Sequence, residues 1–397
     1  MEARAVPGMA IPLLQDGCAD TTVDLDWVWD AVHLTSEDRT HRLNLSAVKR
    51  EVRSWFTKES LETILGPPRD ETENLAQEWL ARAGKRWRPY LAVCVHLALH
   101  DDPGDQPLRA APDLKKLAVA VECFHKASLI HDDIEDDDDE RYGTCTMHVE
   151  CGVPIALNVG DFLLGEGYRL ISELDLDPGI VTAMLRTAAQ GHLTLSRGQG
   201  AELCWSQRPR PLSTLEVLDI FRQKTAPAFE VALRLGAFFG GATSEIHEVL
   251  RQYSESLGIA YQIRDDLEDY TGESDSHDLR DLRPSVMLAI AQKRAAPGPE
   301  QTLVSALWHH ACTYDEVGGE LQRIIRDRGV ADTARDLLEA YIQQATRSLR
   351  PLRNPTLKGL LRRVIGTIFG DSIIEGYCRD RQARNAAGSR VGADPTS

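Results

Sequence analysis

Residues 114–139 read LKKLAVAVECFHKASLIHDDIEDDDD. Leu114 to Ile130 is apolar at helical intervals, which predicts a long buried helix. If the helix continues into the acidic run, Asp132 and Asp136 stack at i and i+4 on one face, with Asp133 alongside. Like charges at that spacing oppose a helix by roughly a few tenths of a kcal/mol. Taken alone, the run is either a solvated helix end or a cation site. Residues 261–269, YQIRDDLED, decide between the two. They repeat the same spacing at the end of another long apolar helix, as Asp265, Asp266 and Asp269. The first aspartates of the two clusters lie 133 positions apart (265 − 132), so this is no local charge run. Two helices ending in matched carboxylate faces predict one site between them. Its ligands are hard oxygens, which suit magnesium bridging carboxylates to substrate phosphates.

The rest of the chain keeps the helical period. Helices are expected near 46–65, 71–82, 87–100, 112–134, 153–173, 178–204, 213–238, 243–270, 284–295, 300–311, 314–328, 331–349 and 355–379. Turn formers fall between them, as in Gly66-Pro67-Pro68, Asp177-Pro178-Gly179 and Pro297-Gly298-Pro299. Ser213 with Glu216 forms a capping-box pattern. No segment alternates convincingly with period two, and no long repeat is visible. The fold class is therefore all-α, one large bundle. Residues 1–45 differ in composition and read as an N-terminal extension lying on the body, with a short helix over Asp26 to Leu34. Residues 46–380 form the main domain, and the polar residues 381–397 form a flexible tail.

The 397 residues carry 45 Lys and Arg against 61 Asp and Glu, a formal charge of −16. That excludes nonspecific binding to a nucleic-acid backbone and an electrostatic membrane anchor. No apolar run reaches the length of a membrane span; Leu91 to Leu99 is nine residues and contains His96. The start lacks the basic-then-apolar order of a signal peptide. Eight scattered cysteines without a CxxC pair read as reduced thiols in a cytoplasmic protein. The acidic clusters lack the central glycine and closing glutamate of an EF-hand loop.

Basic residues accompany the carboxylates. Gly84-Lys85-Arg86-Trp87-Arg88-Pro89 offers three cations at a helix start. Lys224-Thr225 interrupts an apolar helix, Arg141 follows the acidic run, and His125 lies two turns before Asp132. Each has an ordinary reading: a surface turn, a snorkelling lysine, an ion pair, a core histidine. Together they supply the fork donors and point charges that hold diphosphates.

In these motifs the chain resembles the trans-isoprenyl diphosphate synthases (polyprenyl synthetases). GKRWRP, His125 with SLIHDDIED, GVPIALNVGDFLL, Lys224-Thr225 and YQIRDDLED occur in the family's order and spacing over roughly residues 50 to 380. The resemblance implies an isoprenoid-synthase-type bundle with the active site in a central cavity, and a homodimer. It implies that Asp132, Asp133, Asp136, Asp265, Asp266 and Asp269 hold about three Mg2+ ions. Arg141, Lys224 and Arg283 would hold the allylic diphosphate. Thr225 and Gln262 would stabilise the allylic cation, and Lys85, Arg88 and His125 would hold isopentenyl diphosphate. The chain departs from the family at Ala83, at Tyr142 in place of a second arginine, and in the short loop Gly272 to Asp278. Arg86 is the candidate replacement for that arginine. Product length follows from the helix before the first motif. Ala127 and Ser128 are small, and Phe124 one turn deeper is the expected floor, which implies a C20 to C25 product. The rival readings are a class I terpene cyclase on the same fold and a non-catalytic subunit of a heteromeric synthase.

Overall fold

The computed structural model describes residues 44–370 apart from 83, 101–111, 142 and 272–282. The expected tail 381–397, all but the last two residues of the expected extension 1–45, Ala83, Tyr142 and the loop Gly272 to Asp278 lie outside the described residues.

The chain runs α1 (Leu45–Ser54), α2 (Lys58–Leu65), α3 (Glu71–Ala81), α4 (Trp87–Leu99) and α5 (Pro112–Glu135). A two-residue hairpin follows, β1 (Glu140–Arg141) with β2 (Thr144–Cys145), and then α6 (Met147–Cys151), α7 (Val153–Ser172), α8 (Pro178–Gln207) and α9 (Thr214–Phe239). The last elements are α10 (Ser244–Thr271), α11 (Val286–Arg294), α12 (Pro299–Trp308), α13 (Tyr314–Asp327), α14 (Val330–Ser348) and α15 (Pro355–Phe369). The all-α expectation holds.

Two boundaries need correction. The helix expected over 355–379 ends at Phe369, where Gly370 caps it at a φ of 91°. The single helix expected over 46–65 is two. The Ser54 hydroxyl donates back to Glu51 O, and Thr57 caps α2 by accepting from Ser60 N. Local side-chain hydrogen bonds compete with the helical ladder there and win. The capping box at Ser213 and Glu216 is present as expected and starts α9.

α9 runs through the middle of the bundle, packed by α4, α8 and α10. Its Phe229 and Leu233 join a core with α4, α5 and α7, while Val217 and Phe221 join a second core with α11 to α14. α10 divides likewise: Leu250 and Leu257 lie in the first core, Ile263 and Leu267 in the second. Asp265 and Asp266 thus sit where two rigid cores meet, so the site is mounted on helices fixed at both ends.

Candidate active site

A cavity of about 600 Å³ opens between α5, α8, α9 and α10. Lined at one end by carboxylates, it takes in Asp132 and Asp136 from α5 and the segment just beyond it, and Asp265, Asp266 and Asp269 from α10. Arg88, His125, Arg141, Lys224, Thr225, Gln262 and Arg283 line it as well. So do Phe124 and Ser128, among apolar neighbours that include Val121, Leu164 and Leu195.

Three of the expected residues are placed elsewhere. Asp133 is 1% exposed and off the cavity wall; its Oδ1 accepts from Arg141 Nε in a close ion pair. Helical spacing turns Asp133 about 100° away from Asp132, so the two neighbours face different surroundings. Ala127 is fully buried and Lys85 half-buried, and neither lines the cavity.

The β1–β2 hairpin folds Arg141 back under the helix end. There the guanidinium also lies 3.9 Å from Asp132 and 3.5 Å from Asp138. On the opposite wall, Asp266 Oδ2 accepts from Val286 N at 2.6 Å and Met287 N at 3.1 Å, at the N-terminus of α11. Arg264 donates to Asp265 Oδ1 at 2.5 Å and to Ile368 O at 2.8 Å, tying α10 to α15. Arg283 reaches across to Asp136 at 3.2 Å. The 283–287 segment therefore touches both carboxylate clusters.

Two further side chains of the site carry no sequence motif recognised above. Gln199 donates to Glu135 Oε2 at 2.9 Å and to Asp132 Oδ1 at 3.4 Å. Glu202 accepts from Lys224 Nζ at 2.6 Å. Both come from α8, which approaches α9 so closely at Gly198 that a Cβ there would stand 2.6 Å from Lys224 N. Only glycine permits that approach. A glycine amid polar residues on an otherwise helical run was the available signal.

Arg86, expected as a spare diphosphate contact, is committed to the interior. It is 6% exposed, pairs closely with Glu122, and donates to Leu80 O and Arg82 O at 2.5 Å. Its φ of 55° turns the side chain inward as the helix starts. Arg88 stays at the cavity, where its NH1 lies 2.8 Å from His125 Nε2. Burial, then the Arg88 and Lys126 charges, holds the His125 pKa well below its ordinary value. His125 is therefore a neutral acceptor that orients Arg88.

Burial pushes Asp132 up to about 7, with Asp136 adding to the effect, and pushes Asp265 and Asp266 up to about 7 as well. Such a set of crowded oxygen donors fits hard cations. Among the described residues, no three His, Cys, Asp or Glu side chains group to hold a metal unaided.

A pH effect follows. Raised carboxyl pKa values mean the metal-free fold holds protons that the unfolded chain has released. Their stabilisation is complete below about pH 4 and is lost as pH rises through about 7. Magnesium needs the ionised forms. The rise in melting temperature on adding magnesium should be small near about pH 5.5 and largest near about pH 8. Differential scanning fluorimetry across that range checks it; a shift independent of pH would contradict it.

Comparison with known proteins agrees with this geometry. A family model described as polyprenyl synthetase matches residues 69–319. The geranylgeranyl diphosphate synthase of Methanosarcina mazei is 27% identical over 319 residues, covering 79% of this chain and 94% of that one. A short chain isoprenyl diphosphate synthase of Methanocaldococcus jannaschii is 28% identical over 254 residues, 62% of this chain and 74% of the other. In fold, the geranylgeranyl pyrophosphate synthetase of Pyrococcus horikoshii is similar with a TM-score of 0.68 at 22% identity, covering 82% of this chain and 97% of that structure. The chain belongs to the polyprenyl synthetase family.

Proposed function

We propose that the protein is a magnesium-dependent trans-prenyltransferase. It condenses an allylic diphosphate with isopentenyl diphosphate into an all-trans polyprenyl diphosphate of C20 to C25, as a geranylgeranyl diphosphate synthase does. One observation carries this reading: a single cavity with two carboxylate walls and cations at one end and apolar side chains at the other. The names of the relatives support the product class.

About three magnesium ions between the Asp132/Asp136 wall and the Asp265/Asp266/Asp269 wall would supply Lewis-acid stabilisation of the departing diphosphate. Asp133 serves this wall indirectly, by holding Arg141. Lys224, steadied by Glu202, works with Arg141 and Arg283 to hold the allylic diphosphate while its C–O bond breaks and the electron pair leaves with it. Thr225 and Gln262 turn their dipoles to the allylic cation, where Phe229 and Tyr261 help exclude water. Arg88, oriented by His125, holds isopentenyl diphosphate, whose double bond attacks the cation. The new carbon–carbon bond forms and a proton passes to the released diphosphate. Holding both reactants in line accounts for much of the rate.

The working unit is residues 46–380, acting as a homodimer in the cytoplasm, the compartment its scattered cysteines suit. Val153 and Leu157, one turn apart on the same side of α7, are exposed apolar residues that support pairing. Among the described residues no helix is long and apolar enough to cross a membrane. Neither cyclisation nor a non-catalytic role is favoured by any of these features.

Diphosphate release distinguishes the readings. With farnesyl diphosphate and magnesium, release should require isopentenyl diphosphate. Release from farnesyl diphosphate alone would mean cyclisation. Because His125 is neutral, KM for isopentenyl diphosphate should show no inflection near the ordinary histidine value of 6.5. His125→Gln, which keeps an acceptor, should raise that KM less than His125→Leu. Steady-state kinetics from about pH 5.5 to about pH 8 tests both points.

A further inference from the structure

The apolar end of the cavity contains a contact of three rings from three helices. Phe124 of α5 meets His192 of α8 edge-on, with centroids 4.7 Å apart at 87°. It lies 5.1 Å from Tyr168 of α7. Tyr168 and His192 share a hydrogen bond of 2.6 Å between Oη and Nδ1. Phe124 is seated on Gly167, where a Cβ would come within 2.4 Å of ring carbon Cε1. Phe124 and His192 line the cavity, and Tyr168 stands behind them.

We infer that His192, held in place by Tyr168, is a second stop on product length, so that α7 and α8 set the limit together with α5. The inference rests on the elongation proposed above. A lone phenylalanine ring can swing aside from a growing tail. The Tyr168–His192 pair cannot part without stranding two half-buried polar atoms. Removing Phe124 alone therefore gives the tail room for one further unit before the Tyr168–His192 pair stops it. Past that pair, Val121 also lines the cavity one turn deeper on α5, so a longer tail has somewhere to go once the pair yields. Tyr168 is a positioning residue: it acts through His192.

The test is the product distribution of the full chain with farnesyl and isopentenyl diphosphates, alongside melting temperatures. Phe124→Ala should lengthen the product by one five-carbon unit. His192→Ala should do the same, and the double variant should go further. Tyr168→Phe keeps the ring and loses the hydroxyl; it should broaden the distribution toward the longer product, an effect that mere loosening of α7 would not produce. Wild-type distributions from both His192→Ala and Tyr168→Phe, with Phe124→Ala lengthening the product, would overturn the inference. If the wild type makes no elongated product, the proposed function fails. The stop is then read by binding of geranylgeranyl against geranylfarnesyl diphosphate. His192→Ala should shift that preference toward the longer tail by about tenfold. An unchanged preference, or a wild type that binds neither, would overturn it.

Discussion

Asp132→Asn should lower kcat/KM by about 10³-fold, and Asp265→Asn by about as much, because each removes charge aimed at the departing diphosphate. Both carboxylates line the cavity from opposite walls. Both are held at raised pKa by burial and so gain the most from a cation. Asp133→Asn should behave differently. Its carboxylate is off the cavity wall and clasps Arg141, whose side chain is 8% exposed. The variant should lose stability, and its activity should fall through displacement of Arg141 with a weaker dependence on magnesium concentration. Steady-state kinetics titrated with magnesium separates the two behaviours. Asp132→Asn and Asp133→Asn with the same loss and the same magnesium dependence would contradict this division.

Arg86→Met has the largest expected effect on stability, a loss of about 3–5 kcal/mol, because it breaks the buried ion pair with Glu122. The pair's side chains are only 5% and 2% exposed. Arg86 also satisfies two backbone carbonyls and lies over the Phe56 ring, 4.6 Å from its centroid. The double variant Arg86→Met with Glu122→Leu should recover only part of the loss, because the fully buried Lys126 then loses the charge of Glu122 that balances it. Urea unfolding of the metal-free protein measures both. If Arg86→Met were as stable as wild type and instead raised KM for isopentenyl diphosphate, Arg86 would be a substrate contact after all.

Much of this arrangement was legible in the sequence. The matched Asp-Asp-x-x-Asp clusters lie at the ends of two long apolar runs, and together those features implied helices that meet at a shared site. Gln262 sits on the second of those helices and Lys224 within another periodic run, α9, and both fell on the cavity. The parts that escaped depend on tertiary contacts. Periodicity says that Asp132 and Asp133 face different ways, not which of them faces the cavity; the Glu140 to Cys145 hairpin settles that by returning Arg141 to Asp133. Arg86 looked like Arg88 in the motif, and only its φ of 55° turns it toward Glu122. Gln199 and Glu202 lie on a helix with no acidic cluster, brought in by the close approach at Gly198. The Tyr168–His192 bond joins residues 24 positions apart on separate helices, and no spacing rule connects them.

The most direct test of the central claim is the product itself. Purified protein with magnesium, farnesyl diphosphate and labelled isopentenyl diphosphate is extracted with and without phosphatase treatment. Elongation predicts that the label enters the organic phase only after phosphatase, as an all-trans alcohol of C20 to C25. A hydrocarbon or terpene alcohol formed from farnesyl diphosphate alone, extractable without phosphatase and carrying no label, would contradict it.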